Sequence, residues 1–215
     1  MCDVMIITID GYDGTGKTTL AKLLADHYGF IYLYKPIIKM FQHQTGCSFE
    51  EADELVKNME NTFFSSLSKN QIVEFYCNAL IWLKNFENKT NIILDRGILT
   101  IFAVLGYPET EETFLRFIKN GAFFDMSIYL TADDEERIKR IYMNDPNDPD
   151  LKYPTKWREN NLEEFASCME LNYYKIDTNC KTPSQIFEEA VNIIDRKIEH
   201  EKDGTFILRK NRKEQ

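Results

Sequence analysis

The chain lacks any apolar run approaching the roughly 20 residues that a membrane-spanning helix needs, so no membrane role is expected. A basic-then-apolar targeting segment is also missing from its start, where Val4-Met5-Ile6-Ile7-Thr8-Ile9 reads at once as a strand. Cysteine is sparse and unordered. The five thiols, Cys2, Cys47, Cys77, Cys168 and Cys180, are odd in number, form no C-x-x-C pair and have no histidine at ligand spacing. That argues against a disulfide framework and a thiolate metal site, and for reduced thiols in a cytoplasmic protein. Positive charge is in deficit, with a net charge of −9. No global field draws the chain towards nucleic acid, so any phosphate recognition has to be local. Internal repeats, low-complexity tracts and interdomain linkers are absent as well. What remains is 215 residues of ordinary globular composition, 43% hydrophobic and 28% charged, which suit one domain with a sizeable core.

One stretch carries chemistry on its face. Gly11-Tyr12-Asp13-Gly14-Thr15-Gly16-Lys17-Thr18 matches the pattern G-x-x-x-x-G-K-[ST], with an apolar strand before it and Thr19-Leu20-Ala21-Lys22-Leu23-Leu24 at helical spacing after it. Glycines let such a loop turn its backbone N–H groups inward around anionic oxygens. The loop ends at a helix N-terminus, where unpaired N–H groups and the macrodipole favour negative charge. The expected phosphate cradle is therefore Gly11, Asp13, Gly14, Thr15, Gly16, Lys17, Thr18 and Thr19. In it Lys17 reaches the β- and γ-phosphates and the Thr18 hydroxyl ligates Mg²⁺.

Taken in order, the rest alternates strands with helices. Phe30–Tyr34 reads as a second strand stopped by Pro36, followed by a polar connection through Thr45-Gly46-Cys47. Ser48 with Glu51 forms a capping box that opens a helix, and Ile72, Phe75, Tyr76, Ala79, Leu80 and Leu83 give a longer helix ending near Asn88. Asn91–Asp95 is a third strand whose terminal acid places a carboxylate near Mg²⁺, and Arg96 follows it. A helix over Glu111–Lys119, a strand over Asp125–Leu130 and a helix carrying Arg137 and Arg140 come next. From Met143 to Asn161 the helical pattern breaks around Pro146 and Pro149, which reads as a functional lid carrying Lys152, Lys156 and Arg158. A strand over Tyr173–Thr178 and a last helix from Pro183 to Ile198 complete a domain spanning residues 1–200, with the lid at about 143–161. Residues 201–215 read as a tail, with a further edge strand possible over Asp203–Leu208. Such alternation means an α/β fold of three layers, a parallel sheet covered on both faces.

Two absences narrow the phosphate chemistry. The guanine-reading N-K-x-D is missing, Asn88-Lys89-Thr90-Asn91 lacking the acid, and no switch-type D-x-x-G follows the third strand. That argues against a GTP switch, and the chain is short for a motor or transporter ATPase. A small-molecule kinase remains, its phosphates in the cradle and its acceptor under the strand ends.

Here the sequence resembles the thymidylate kinases. Ile9-Asp10-Gly11-Tyr12-Asp13-Gly14-Thr15-Gly16-Lys17-Thr18-Thr19 is similar to that family's F-E-G-x-D-G-x-G-K-T-T, with Asp13 as the family's own mark on the loop. Ile93-Leu94-Asp95-Arg96 resembles its D-R-Y segment, and Thr100 falls where it usually has serine. The resemblance runs to about Ile198 and implies a five-stranded parallel sheet of order 2-3-1-4-5, ATP with Mg²⁺ as donor, and a nucleoside monophosphate as acceptor. It also implies Arg140 on the adenine, with Thr178 and Cys180 beside the base. A homodimer is implied too, for which Ile72–Phe86 and Thr100–Leu105 offer apolar surface.

Together these readings assign Lys17, Arg96, Arg137, Arg140 and Asp10 to catalysis, Asp10 by ordering a water on Mg²⁺. Thr18 and Asp95 are the metal residues, Arg158 is the lid arginine, and Asp13, Lys35, Phe75, Asn78 and Arg96 bind the acceptor. The acceptor half departs from the family. Its R-E-P-G is Tyr34-Lys35-Pro36-Ile37 here, its D-R-Y has Gly97, its F-x-x-D-R reads Phe75-Tyr76-Cys77-Asn78-Ala79, and its A-Y-Q-G reads Ala103-Val104-Leu105-Gly106. The acceptor therefore stays open between a nucleoside monophosphate and a nucleoside or other small hydroxyl compound, as in deoxynucleoside kinases. A nucleotide-binding module without phosphotransfer is the third alternative.

Overall fold

The computed structural model describes residues 5–86, 90–106, 108–148, 151, 162–163, 165–167, 171 and 173–202. The expected lid residues Lys152, Lys156 and Arg158, the edge strand over 203–208, and Cys2 and Cys168 lie outside the described residues.

Five short apolar runs form one parallel sheet of order β2-β3-β1-β4-β5: β1 (Ile6–Gly11), β2 (Ile31–Tyr34), β3 (Ile92–Asp95), β4 (Met126–Thr131) and β5 (Tyr173–Asp177). Parallel strands buried on both faces need apolar residues in both phases of the pleat, and β1 supplies them. Ile6 faces a cluster with Leu80, Leu83, Leu99 and Phe114, while Ile7 and Ile9 face Leu20, Leu24, Ile186 and Ile194 on the other side. The first layer comprises α4 (Lys69–Phe86), α5 (Ile98–Leu105) and α6 (Glu111–Lys119); the second comprises α1 (Lys17–Tyr28) and the last helix, Pro183–Lys202. Pairing of Ile9 with Asp95, Tyr34 with Asp95 and Gly11 with Leu130 brings the carboxyl ends of the strands to one edge. Ligands of open α/β sheets bind at that edge.

The sequence reading differs from the structure after β2. Pro36 stops the strand but also stands at the first position of α2 (Pro36–Thr45). Its missing N–H falls where a helix has no partner for one, so a single proline both ends β2 and opens α2. Ile37 and Ile38 of α2 pack with Ala52 and Val56 of α3 (Phe49–Asn58), with Phe64 and with Ala79 in a third cluster. The capping box of α3 has both its bonds, Glu51 N–H to Ser48 Oγ at 3.2 Å and Ser48 N–H to Glu51 Oε2 at 2.8 Å.

The apolar residues of α4 and α5 expected to offer a dimer surface are mostly core instead. Val73, Cys77, Leu80, Leu83, Leu99, Ile101 and Phe102 are buried against the sheet and α6, and Phe86 and Val104 are the large apolar side chains that these two helices leave exposed. No helix among the described residues is long and apolar enough to cross a membrane.

Candidate active site

The loop Gly11–Thr18 joins β1 to α1. Gly11, Gly14 and Gly16 all hold positive φ, at 136°, 84° and 94°. At Gly14 a second constraint coincides, because a Cβ there would stand 2.6 Å from the Arg137 carbonyl oxygen and 2.7 Å from Arg137 Cγ. Arg137, on α7 (Asp134–Asn144), is thus packed under the loop, where its Nη1 donates to the Asp13 carbonyl at 3.4 Å. It lines neither cleft described below. Its contacts, to the Asp13 carbonyl and to Asp134 Oδ1, support the loop and lie outside both clefts, away from the place that the expected role on the transferring phosphate would need.

Lys17 Nζ donates to the Tyr12 carbonyl at 2.6 Å and pairs with Asp13 Oδ1 at 3.1 Å. Arg96 Nη2 meets the same carboxylate oxygen at 2.5 Å, so Asp13 bridges the two cations. Burial, then the Arg96 guanidinium, pushes the Lys17 ammonium down to about 8 despite Asp13 and Asp95. Tyr12 anchors the loop, its hydroxyl donating to the Ala103 carbonyl of α5 at 2.7 Å.

Thr18 Oγ1 donates to Asp95 Oδ2 at 2.5 Å, and the other oxygen, Oδ1, is buried without a hydrogen-bond partner among the described residues. A buried, unsatisfied carboxylate oxygen is costly unless something fills its place. Hard oxygen donors in this number fit Mg²⁺, which keeps waters and shares substrate phosphates rather than filling an all-protein cage. Among the described residues no group of three acid, histidine or cysteine side chains could hold a metal by itself.

Asp10 has a different task from the one expected. Its Oδ1 accepts from Gly97 N–H at 2.7 Å, Thr100 N–H at 2.8 Å and Thr100 Oγ1 at 2.7 Å, and its Oδ2 accepts from Thr8 Oγ1 at 2.5 Å. The carboxylate is fully buried at the N-terminus of α5, where a negative group is favoured. Burial pushes its carboxyl up, against the pull of those hydrogen bonds. Asp10 lines neither cleft; its bonds fix the turn that carries Arg96. Thr100 extends the tie, accepting the Gly11 N–H at 3.2 Å. Gly97 belongs to the same knot, since a Cβ there would stand 2.7 Å from Thr8 Cβ. The aromatic residue that the thymidylate-kinase pattern has at this position would not fit without a shift.

Two clefts open on the loop. The first, about 490 Å³, is lined by Asp13 through Leu20 and by Leu23, Glu136, Arg140, Met143, Asn144, Lys181, Pro183 and Ile186. Arg140 is held flat against it by Thr178, through Nη1 to Oγ1 at 3.0 Å and Nη2 to the carbonyl at 2.8 Å, and by Glu136 at 2.9 Å. Thr178 is buried beneath Arg140, and Cys180, with φ 53°, turns outward. Neither lines the cleft as expected. Lys181, Pro183 and Ile186 do, because the turn at Cys180 carries the chain back over it.

The second cleft, about 330 Å³, is lined by Asp13, Lys35, Pro36, Glu60, Phe64, Ile72, Tyr76, Arg96, Thr100, Ile101, Val104 and Leu105. Asp13, Lys35 and Arg96 stand there as expected. Phe75 and Asn78 do not. The helical step from Ile72 to Tyr76 sets the cleft-facing stripe of α4, which turns Phe75 onto Phe41 and Phe64 and Asn78 to solvent. Glu60, missed from sequence, comes in on a π-helical turn, Met59–Phe63, that no residue pattern announces. Lys35 and Arg96 both hold positive φ, 42° and 86°. Strained backbone of this kind persists where surrounding structure enforces it, and here it aims two cations into one cleft.

The family model described as an AAA domain matches residues 7–167, well over half of the chain. A relative from Saccharolobus solfataricus named "Probable thymidylate kinase 1" is 28% identical over 202 residues, covering 90% of this chain and 98% of its own. Among solved structures, a thymidylate kinase from Ehrlichia chaffeensis is similar with a TM-score of 0.59 at 15% identity, covering 89% of this chain and 98% of that one. A deoxyadenosine kinase from M. mycoides with bound dATP is similar with a TM-score of 0.56 at 20% identity, covering 89% and 99%. The two structures bear out the fold read from sequence, and the relative bears out the resemblance.

Proposed function

The chain belongs to the AAA domain family, and from that premise we propose that it is an ATP-dependent phosphotransferase that moves the γ-phosphoryl group to a nucleoside monophosphate. One observation carries this reading: Asp13 lines both clefts and pairs there with Arg96 of the second, so a group held in one cleft can face a group held in the other. The ATP phosphates lie in the loop, with Lys17 exchanging Tyr12 O and Asp13 for phosphate oxygens, and the adenine lies on the Arg140 side. The acceptor lies in the second cleft, its phosphate on Arg96. Thr18 and Asp95 would hold Mg²⁺, which would supply charge neutralisation for the phosphates. Phosphoryl transfer asks chiefly for positioning and electrostatic stabilisation, and an ionised monophosphate needs no strong base. The relative named thymidylate kinase supports the acceptor class. A cytoplasmic location belongs to the same proposal.

A second reading has an observation of its own. The Glu60 carboxylate stands in the acceptor cleft, and a hydroxyl acceptor needs a carboxylate to take its proton. ATP consumption measured with monophosphates and with nucleosides separates the two. Stimulation by nucleosides alone would move the conclusion to the second reading.

The reading also has a pH signature. Lys17 is depressed to about 8 in the free protein, and bound phosphates favour its charged form. Nucleotide binding should therefore take up a proton above pH 8, and affinity should fall as pH rises from about 8 towards 10. Calorimetric titration of a non-hydrolysable ATP analogue in buffers of different ionisation heat measures the uptake. Proton release, or none at all, at pH 9 would refute the linkage.

A further inference from the structure

The second cleft contains a carboxylate that the phosphoryl-transfer scheme does not use. Glu60 sits on the π-helical turn after α3, a rare geometry that concentrates at functional sites. Its Oε1 is anchored twice, by the Tyr76 hydroxyl at 2.6 Å and by Lys35 Nζ at 3.5 Å. Its Oε2 has no hydrogen-bond partner among the described residues. Burial, then the Glu60 charge, raises the Tyr76 phenol well above its ordinary value, so the hydroxyl keeps its proton and stays a donor to Glu60. The walls beside Glu60 are apolar: Phe64, Ile72, Ile101 and Val104. Thr100 Oγ1 is already committed to Asp10 and Gly11. Lys35 has Glu60 to itself, whereas Arg96 and Lys17 share the single carboxylate of Asp13 and keep a net positive charge, so Arg96 is the better seat for an acceptor's anionic end.

We propose that Glu60 is the residue that selects the acceptor, its free oxygen Oε2 accepting a hydrogen bond from an N–H or O–H group on the molecule in the second cleft while Arg96 takes the anionic end. The inference rests on that cleft being the acceptor site. The shared chemistry is a donor group aimed at a carboxylate, and it has two sources in a nucleoside monophosphate: an exocyclic amine on the base or a hydroxyl on the sugar. A base that turns only carbonyl oxygens towards Glu60 is repelled.

The test is steady-state kinetics of the full chain and of Glu60→Gln. The amide keeps an oxygen for Tyr76 while removing the charge. A hydrogen bond to a charged group is worth enough that the acceptor KM should rise about tenfold or more, with kcat and the ATP KM nearly unchanged. Paired acceptors then identify the source. Cytidine against uridine monophosphates report the amine, and 3′-hydroxyl against 3′-deoxy monophosphates report the sugar. In the unaltered chain one pair should differ by the same factor, and in Glu60→Gln that difference should vanish. An unchanged acceptor KM overturns the proposal, as does a fall in kcat at constant KM, which would make Glu60 a base. If no monophosphate stimulates the unaltered chain, the reading of the cleft fails first and takes this inference with it.

Discussion

Replacing Lys17 by alanine is expected to lower turnover by about 10²- to 10³-fold, the usual cost of removing one preorganised charge from a developing transition state. Lys17 is the cation of the phosphate loop itself, buried and within reach of Tyr12 O and Asp13. The loose transition state spreads its charge over phosphate oxygens that water cannot screen in the buried loop, so the ammonium matters more in the transition state than in the bound ATP. The fold should not suffer. Tyr12 O keeps its bond from the Thr15 hydroxyl at 2.7 Å, and burying an ammonium whose value is pushed down opposes folding. A melting temperature at or above that of the unaltered chain, with turnover lost, is the expected pair of results. Turnover within a few-fold of normal would remove Lys17 from the chemistry.

Asp10→Ala should fail in the opposite way, by stability. Four hydrogen bonds converge on that carboxylate, and the substitution strands the buried donors of Gly97 and Thr100, while the Thr8 hydroxyl keeps Ser127 as a partner. Each stranded buried group costs about 1–3 kcal/mol, so a total of about 3–5 kcal/mol is expected, at the upper end for single substitutions. Urea unfolding measures it. Asp10→Asn should cost less, because its amide oxygen still serves the Thr100 and Gly97 N–H groups. If Asp10→Ala were as stable as the unaltered chain and merely inactive, the water-ordering role read from the sequence would be restored over the structural one.

The contrast between these residues shows what the sequence made legible. The strand–loop–helix unit could be read because its physics is local: glycines at fixed spacing, an apolar run before, helical spacing after. Asp95 and Arg96 could be read because a strand's end has a defined place in a parallel sheet. Asp10 could not be separated from Asp95 on sequence, since both end apolar strands at the same edge. Only the fold shows that Asp10 points at the start of α5 and Asp95 at Thr18. Phe75 and Asn78 went astray by rotation about α4, where one residue turns a side chain by about 100°. Tyr76, beside them, is the one in the cleft. Glu60 left no trace at all, because the π-helical turn that delivers it breaks the helical spacing by which such residues are found. Pro36 is legible in the sequence as the stop of β2 but not as the start of α2.

The central claim is transfer of a phosphoryl group from ATP to a nucleoside monophosphate, and the most direct test follows ADP formation by the purified chain against a panel of nucleoside monophosphates and the corresponding nucleosides. At least one monophosphate should stimulate ADP formation and be recovered as the diphosphate, while its nucleoside does not stimulate. Stimulation by nucleosides alone, or tight ATP binding with no acceptor stimulating at all, would contradict it.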